Sequence, residues 1–159
     1  MPVGASPRCD GHAATAATTR RKGPTMPRAS QASAPIEADY GIASERTAHL
    51  DGYTVNFVSI RADNDLAPML KGLPDDACQC PHWGYVLSGQ LTVRYTNGEE
   101  EQITSGDAFY MSPGHTPSAA AGTEFVIISP QAELEQTEAA MRANMARMAA
   151  DQATTPATS

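Results

Sequence analysis

Short strand-like runs separated by glycine-containing turns fill the centre of the chain and constrain its fold more than any other feature. Each run is rich in β-branched and aromatic residues, and several alternate apolar with polar positions, as β-strands do. The runs are YTVNFVSI (53–60), GYVL (84–87), QLTVRY (90–95), EQIT (101–104), AFYM (108–111) and TEFVIIS (123–129). Asn97-Gly98 lies between two of them and is a strong hairpin signal. Short strands at this spacing predict an all-β barrel or sandwich.

One helix is predicted to follow the strands, from about residue 130. Ser129 is a suitable N-cap and Pro130 a suitable first helical residue. An apolar stripe at helical spacing consists of Leu134, Met141, Met145 and Met148. The stripe predicts packing on the outside of the sheet, and a dimer contact is the alternative. A further segment, NDLAPMLKGLPDD (64–76), has room for one short helical turn.

The two ends of the chain are predicted to be tails around a single domain at 39–150. Residues 1–38 are rich in Ala, Thr, Pro, Ser and Arg and have few large apolar side chains. They cannot bury enough surface to offset the entropy of ordering them, so we predict a disordered tail. This tail has no apolar stretch of a secretory signal, which favours a cytoplasmic protein, and Met26 is an alternative start. Residues 151–159 are predicted to be frayed.

Charge and hydropathy each argue against one class of partner. The net charge is −7, with +4 in residues 1–28 and therefore −11 in the remainder. An acidic body is unsuited to a phosphate backbone, so we expect no nucleic-acid binding. No run approaches the ~18 apolar residues of a membrane span, so we expect no membrane association.

The most unusual motif is DDACQCPHWGYVLSGQL (75–91), in which Cys78, Cys80 and His82 occupy alternate positions. Two of the chain's 3 cysteines are therefore two residues apart and next to a histidine. On an extended segment alternate side chains project to one face, so all three can point into a barrel. Pro81 must bend this segment, which can turn one cysteine away.

The stretch from Cys78 to about Pro117 resembles a small single-domain cupin. GDAFYMSPGHTP carries Gly106, Asp107 and Gly114 at the spacing of the second cupin motif, and GYVLSGQLTVRY with Gly89 resembles the end of the first. The resemblance implies a cupin-like β-barrel, which is a double-stranded β-helix or jelly roll. It also implies a metal site at converging strands, room for a small-molecule ligand in the barrel and a homodimer.

The ligand positions depart from the cupin pattern of three histidines and one carboxylate. His82 stands where the family has glutamate or glutamine, and Pro117 occupies the usual histidine position of the second motif, with His115 two residues earlier. Asp76 and Cys78 take the two histidine positions in one register, and Cys78 and Cys80 take them in another. The candidate metal ligands are therefore Cys78, Cys80, His82 and His115.

Two thiolates and two imidazoles favour a tetrahedral zinc site, with iron, manganese and copper as alternatives. The two cysteines could instead be buried apolar residues or reactive thiols, whereas a disulfide two residues apart would be strained. Near the site, Asp76 and Asp107 are the other acid/base candidates, although Asp107 fits better as a turn cap.

Three functions remain open from the sequence. A filled four-ligand shell favours a metal-binding protein with a ligand-binding or sensory role. If one cysteine does not bind, an open metal position suits a cupin enzyme such as a dioxygenase or isomerase. The third is a metal-free binding or structural protein.

Overall fold

The structure is a computed structural model and describes residues 27–154. Residues 1–26 of the predicted tail and 155–159 of the predicted frayed end lie outside the described residues. Within the described part, the first strand begins at Ile36, inside the segment predicted as tail. The C-terminal helix continues to Thr154, beyond the domain end predicted at residue 150.

Two antiparallel sheets form the body of the protein, in a barrel closed at one end by the helix. One sheet has the strand order β1-β2-β3-β10-β5-β8, and the other has the order β4-β9-β6-β7. The strands are β1 (Ile36–Asp39), β2 (Ala43–Leu50), β3 (Tyr53–Ile60), β4 (Asn64–Asp65), β5 (His82–Ser88), β6 (Gln90–Tyr95), β7 (Glu100–Thr104), β8 (Ala108–Met111), β9 (His115–Ala119) and β10 (Glu124–Pro130). The predicted all-β barrel with a C-terminal helix is confirmed.

Four strands did not follow from the sequence, namely β1, the two-residue β4, β2 and β9. β2 has the sequence ASERTAHL and pairs with β3 along its whole length. β9 contains Pro117, which makes a strand assignment unattractive because proline cannot donate to a ladder. The structure accommodates it because the neighbouring β4 pairs only with Ser118 and Ala119, so that Pro117 has just one full partner strand, β6.

Apolar side chains fill the end of the barrel away from the helix. This apolar cluster consists of Ile60, Val86, Leu91, Val93, Ile103, Met111 and Ala119. The β5–β6 turn beside it requires glycine at position 89, where φ is +79° and a Cβ atom would lie 2.6 Å from the Cα of Thr123. Gly89, one of the motif positions, therefore allows the β5–β6 turn to lie directly against Thr123, the residue before β10.

The helix, α1 (Gln131–Thr154), covers the other end of the barrel. It lies against the 3-10 turn Ala67–Leu70, where Leu134 and Met141 meet Leu70. The Asn144 amide donates to the carbonyl oxygens of Met69 and Lys71 at 2.7 and 2.8 Å. The predicted stripe therefore packs largely on this turn and not on the outside of the sheet.

The start of α1 also differs from the prediction. Pro130 is the last residue of β10, and the helix begins at Gln131. The Ser129 hydroxyl bonds to a ring nitrogen of His82 at 2.7 Å, so the predicted helix cap serves an interior histidine. Across the described residues, no helix is long and apolar enough to cross a membrane.

Candidate metal centre

Three of the four predicted ligands converge beneath α1. Cys78, His82 and His115 each offer one ligand atom, and these atoms all lie within 4.8 Å of one another. All three side chains are buried. This group is called the Cys-His cluster below.

Backbone pairing fixes the positions of Cys78 and His115. The Cys78 amide donates to the His115 carbonyl at 2.8 Å, and the His115 amide donates back to the Cys78 carbonyl at 3.2 Å. His82 is the first residue of β5, and its ring meets that of His115 edge-on with centroids 5.0 Å apart. The cluster is therefore built on a loop, the start of one strand and the start of another in the opposite sheet.

Each histidine is held through its Nδ1 atom. His82 Nδ1 lies 2.7 Å from Ser129 Oγ, while its Nε2 lies 3.5 Å from Cys78 Sγ. His115 Nδ1 donates to the Ser112 carbonyl at 2.6 Å. Partners on Nδ1 that fix the ring and the tautomer are typical of metal-binding histidines.

The His115 Nε2 atom has no hydrogen-bond partner although it is fully buried. With its proton on Nδ1, this nitrogen carries a lone pair. A buried polar atom without a partner costs about 1–3 kcal/mol. A metal ion is a ligand that would use this lone pair.

Burial keeps all three side chains neutral. It lowers the pKa of His82 to about 3, with the charge of neighbouring His115 adding to the effect. It also lowers the pKa of His115 and raises that of Cys78. Neutral imidazoles are ready to bind a metal, whereas the Cys78 thiol needs the ion itself to displace its proton.

Cys80 is buried but its sulfur is outside the Cys-His cluster. Its thiol faces the Pro81 carbonyl at 3.5 Å, and the side chain joins an apolar group with Leu70 and Leu134. Burial, followed by the charge of Cys78, raises its pKa to about 12. The expected alternation fails here because β5 begins only at His82, so that residues 77–81 are not a regular strand.

The two aspartates considered from sequence have structural roles in exposed turns. Asp107 accepts from the Thr104 amide at 2.8 Å, as expected of a turn cap. Asp76 accepts from the Gly72 amide and pairs with Lys71. These bonds lower the pKa of both carboxyl groups.

Three residues around the cluster did not emerge as site residues from the sequence. Ser112 and Ser129 hold the histidines, and the Thr137 hydroxyl of α1 lies 3.6 Å from Cys78 Sγ. The position of Ser129 at the end of an alternating strand was a usable signal for an inward side chain. No sequence signal identifies Thr137, because its contact with Cys78 depends on how α1 docks on the barrel.

The cluster is closed to solvent on the side of α1. Two hollows on the described surface lie elsewhere, one between Ala67–Leu70 and α1 and the other along β7 and β8. Neither is lined by a residue of the Cys-His cluster. The three side chains of the cluster are at most 7% exposed, so a molecule larger than an ion could reach them only if neighbouring groups moved.

No family model and no curated protein match the chain. Similar solved structures include the polyketide cyclase RemF from Streptomyces resistomycificus, at 15% identity and TM-score 0.48 over 67% of this chain and 80% of that one. KdgF from Halomonas sp. aligns at 20% identity and TM-score 0.44 over 60% and 88%. A cupin-2 domain protein from Shewanella frigidimarina aligns at 16% identity and TM-score 0.39 over 54% and 78%. The similarity is one of fold.

Proposed function

We propose that this protein binds one transition metal ion, with zinc as the expected ion, and that the ion has a sensory or ligand-binding role. The observation that carries the proposal is the His115 Nε2 atom, buried, without a partner, and grouped with Cys78 and His82. No side chain of the described residues completes its hydrogen bonding. A bound ion would do so.

The donor set suits such an ion. One thiolate and two imidazoles favour zinc, copper or iron over magnesium or calcium, which prefer oxygen. Ser129 and Ser112 hold the rings by Nδ1, so that Nε2 of His115 is unpaired and Nε2 of His82 faces the Cys78 sulfur at 3.5 Å. A bound ion would supply positive charge that keeps the Cys78 sulfur deprotonated.

The position of Thr137 supports a sensory role. Its hydroxyl belongs to α1 and lies 3.6 Å from Cys78 Sγ. A thiolate at Cys78 is a stronger acceptor than a thiol, so the Thr137 hydroxyl would bind it more strongly as a donor. Metal binding would therefore favour the docked position of α1, which is the element that could report occupancy to a partner or ligand.

A metal-dependent enzyme is the second candidate. It is favoured by the number of ligands, since only three protein groups converge and Cys80 does not join them. Catalytic zinc sites keep one position for water or substrate in this way. The burial of the cluster under α1 favours the first candidate.

Elemental analysis of protein purified without chelator tests the shared claim. We expect close to one transition ion per chain, and a His49→Ala variant should retain it because His49 contacts Thr54 outside the cluster. Less than about a tenth of an equivalent, without uptake on titration, would reject the proposal.

Cobalt substitution then separates the two candidates. A closed sensory site needs a further protein ligand besides Cys78, His82 and His115 in the fourth position, and it should give intense tetrahedral bands that azide does not change. A spectrum that shifts on adding azide would show an exchangeable position and would favour the enzyme.

A further inference from the structure

A second group of polar side chains lies in the barrel interior, on the neighbouring strands β2 and β3. It consists of Glu45, Thr47 and Asn56 and is called the Glu-Asn group below. Thr47 and Asn56 are partners in the strand pairing and are only 5% and 2% exposed. Asn56 lies two residues before Val58, which packs on the apolar cluster, so its side chain projects to the inside of the sheet. None of the three residues belongs to the Cys-His cluster.

Hydrogen bonds connect the three side chains. The Thr47 hydroxyl donates to Glu45 Oε1 at 3.2 Å. Asn56 Nδ2 donates to Thr47 Oγ1 at 3.0 Å and to the same Glu45 oxygen at 3.3 Å. The side-chain donors of the group are therefore all used within it, and what remains are the acceptors Asn56 Oδ1 and Glu45 Oε2.

The Asn56 Oδ1 atom is fully buried and has no hydrogen-bond partner among the described residues. Exchanging the oxygen and nitrogen of this amide would not help. The oxygen would then face the Glu45 carboxylate, which is also an acceptor, and the NH2 group would lack one. Both atoms belong to one planar amide, so Oδ1 lies in the same part of the interior as Glu45. The missing partner is therefore a hydrogen-bond donor close to that carboxylate.

The Glu45 carboxylate also lacks a counter-ion, since no salt bridge reaches it in the part of the chain that the structure describes. Burial raises the pKa of this carboxyl, the bonds within the group oppose the shift, and the charge of Glu138 on α1 adds to it. Tyr40 lies near Glu45, and burial and the Glu45 charge raise its pKa. Arg142 belongs to the same region but pairs with Glu138 at 3.4 Å. A positive charge beside Glu45 would relieve this arrangement.

We propose that the Glu-Asn group binds the ammonium group of a small organic amine. An ammonium group has three N–H donors, a positive charge and no acceptor. It would donate to Asn56 Oδ1 and to Glu45, and it would supply the charge that Glu45 lacks. Glu45 is partly exposed, so the amine would enter past its carboxylate, and the burial of Asn56 restricts the site to a small amine. This inference does not depend on the metal.

Two other occupants fit the group less well. A water molecule could donate to Asn56 Oδ1 but would leave Glu45 without a counter-ion. Calcium takes about six to eight oxygen ligands, which is more than these three side chains offer. The Asn56 NH2 group also lies against the Glu45 oxygen, where it would repel a metal ion. An ammonium group supplies both the missing donor and the missing charge.

Thermal unfolding of the full chain with ethylammonium chloride tests the proposal. A ligand of this size binds with a dissociation constant of about 1 mM at best, so the titration extends to about 100 mM. We expect a saturable rise in melting temperature. Tetramethylammonium chloride at equal ionic strength has the same charge but no N–H donor, and should give no such rise. Equal effects of the two salts, or no saturable rise, would overturn the proposal. A rise with calcium chloride alone would indicate a metal site and would also overturn it.

A matched pair of substitutions locates the site. Glu45→Gln removes the charge with little change of shape, and Glu100→Gln makes the same change at an exposed residue of β7 in the other sheet. Glu45→Gln should fold, because it removes a buried charge that has no counter-ion, and circular dichroism checks this. We expect ethylammonium affinity to fall by roughly tenfold or more in Glu45→Gln and to be unchanged in Glu100→Gln. Equal affinity in the two variants would place the amine elsewhere and overturn the proposal.

NMR of the isotope-labelled parent chain gives a readout that needs no variant. The side-chain amide signals of Asn56 should shift along the same titration curve as the melting temperature. Asn97 is the control, because its side-chain amide bonds Glu99 in an exposed turn, and its signals should stay in place. Asn56 signals that do not move while the melting temperature rises would overturn the proposal.

Discussion

The two ends of the barrel interior are built from the same strands but have opposite chemistry. β5 contributes Val86 to the apolar cluster and His82 to the Cys-His cluster. β3 contributes Ile60 to the apolar end, and Thr54 and Asn56 to the interior nearer the helix. In both β5 and β3, one end packs against apolar side chains and the other end makes polar contacts.

The difference shows which end is available for binding. The apolar cluster is complete, since close packing satisfies its side chains without any added group. The other end buries a histidine nitrogen that has no partner. Buried polar atoms are normally paired, and the proposed metal ion would supply the partner that this nitrogen lacks.

The substitution His115→Ala should have the largest effect and acts on metal binding. Structural zinc sites with four ligands bind with apparent energies of about 10–16 kcal/mol, so one ligand accounts for about 4 kcal/mol, or roughly a thousandfold in affinity. Competition with a chromogenic chelator measures this. The substitution also leaves a cavity and removes the partner of the Ser112 carbonyl, so the metal-free protein should lose stability, and affinity is measured on protein that circular dichroism shows to be folded. Unchanged metal affinity would show that His115 is an ordinary core residue.

Leu91→Ala makes the complementary change at the apolar end. Leu91 is only 2% exposed, and truncating such a side chain costs about 3 kcal/mol of unfolding free energy. Urea denaturation measures the loss. Metal affinity of the folded protein should be close to that of the parent chain, because Leu91 belongs to the apolar cluster and not to the Cys-His cluster. A loss of affinity as large as that of His115→Ala would show that the two ends are not separable.

The sequence predicted the apolar end more fully than the polar end. Alternation in runs such as QLTVRY identifies strands and their inward residues, because burial of apolar side chains is a local pattern repeated every second residue. β2 escaped prediction since its inward residues include Glu45 and Thr47, which lack that pattern.

At the polar end, residue type predicted Cys78, His82 and His115, but three-dimensional contacts decide the rest. Cys80 satisfies the same alternation and still lies apart, because Pro81 precedes the regular strand. The local sequence predicts Ser129 as a helix cap, but in the folded protein its hydroxyl bonds to His82 instead. Thr137 is separated from Cys78 by 59 residues, so only the docked helix brings them together.

Ser129→Ala should produce an intermediate effect confined to the polar end. Ser129 bonds His82 Nδ1, and loss of such a supporting bond reduces metal affinity by roughly tenfold to a hundredfold. Ser88→Ala is the control, since it removes an exposed hydroxyl from the other end of β5. Isothermal titration with zinc measures both variants. Equal affinity in the two would mean that the His82 ring is held by packing alone.

Cys80→Ala should have the smallest effect, and it tests how far the polar end extends. Cys80 shares features with both regions. It is close to the metal ligands in sequence, but its side chain packs against Leu70 and Leu134. Burial and the charge of Cys78 raise its pKa to about 12, so it resists becoming a thiolate. We therefore expect Cys80→Ala to retain one ion per chain and one thiolate contribution in the cobalt spectrum, with about 1 kcal/mol lost in stability. Cys78→Ala, its partner in the comparison, should remove that contribution. If both substitutions weaken binding alike and the parent spectrum shows two thiolates, metal binding draws Cys80 inwards, and the site is the closed four-ligand shell that the sequence motif predicts.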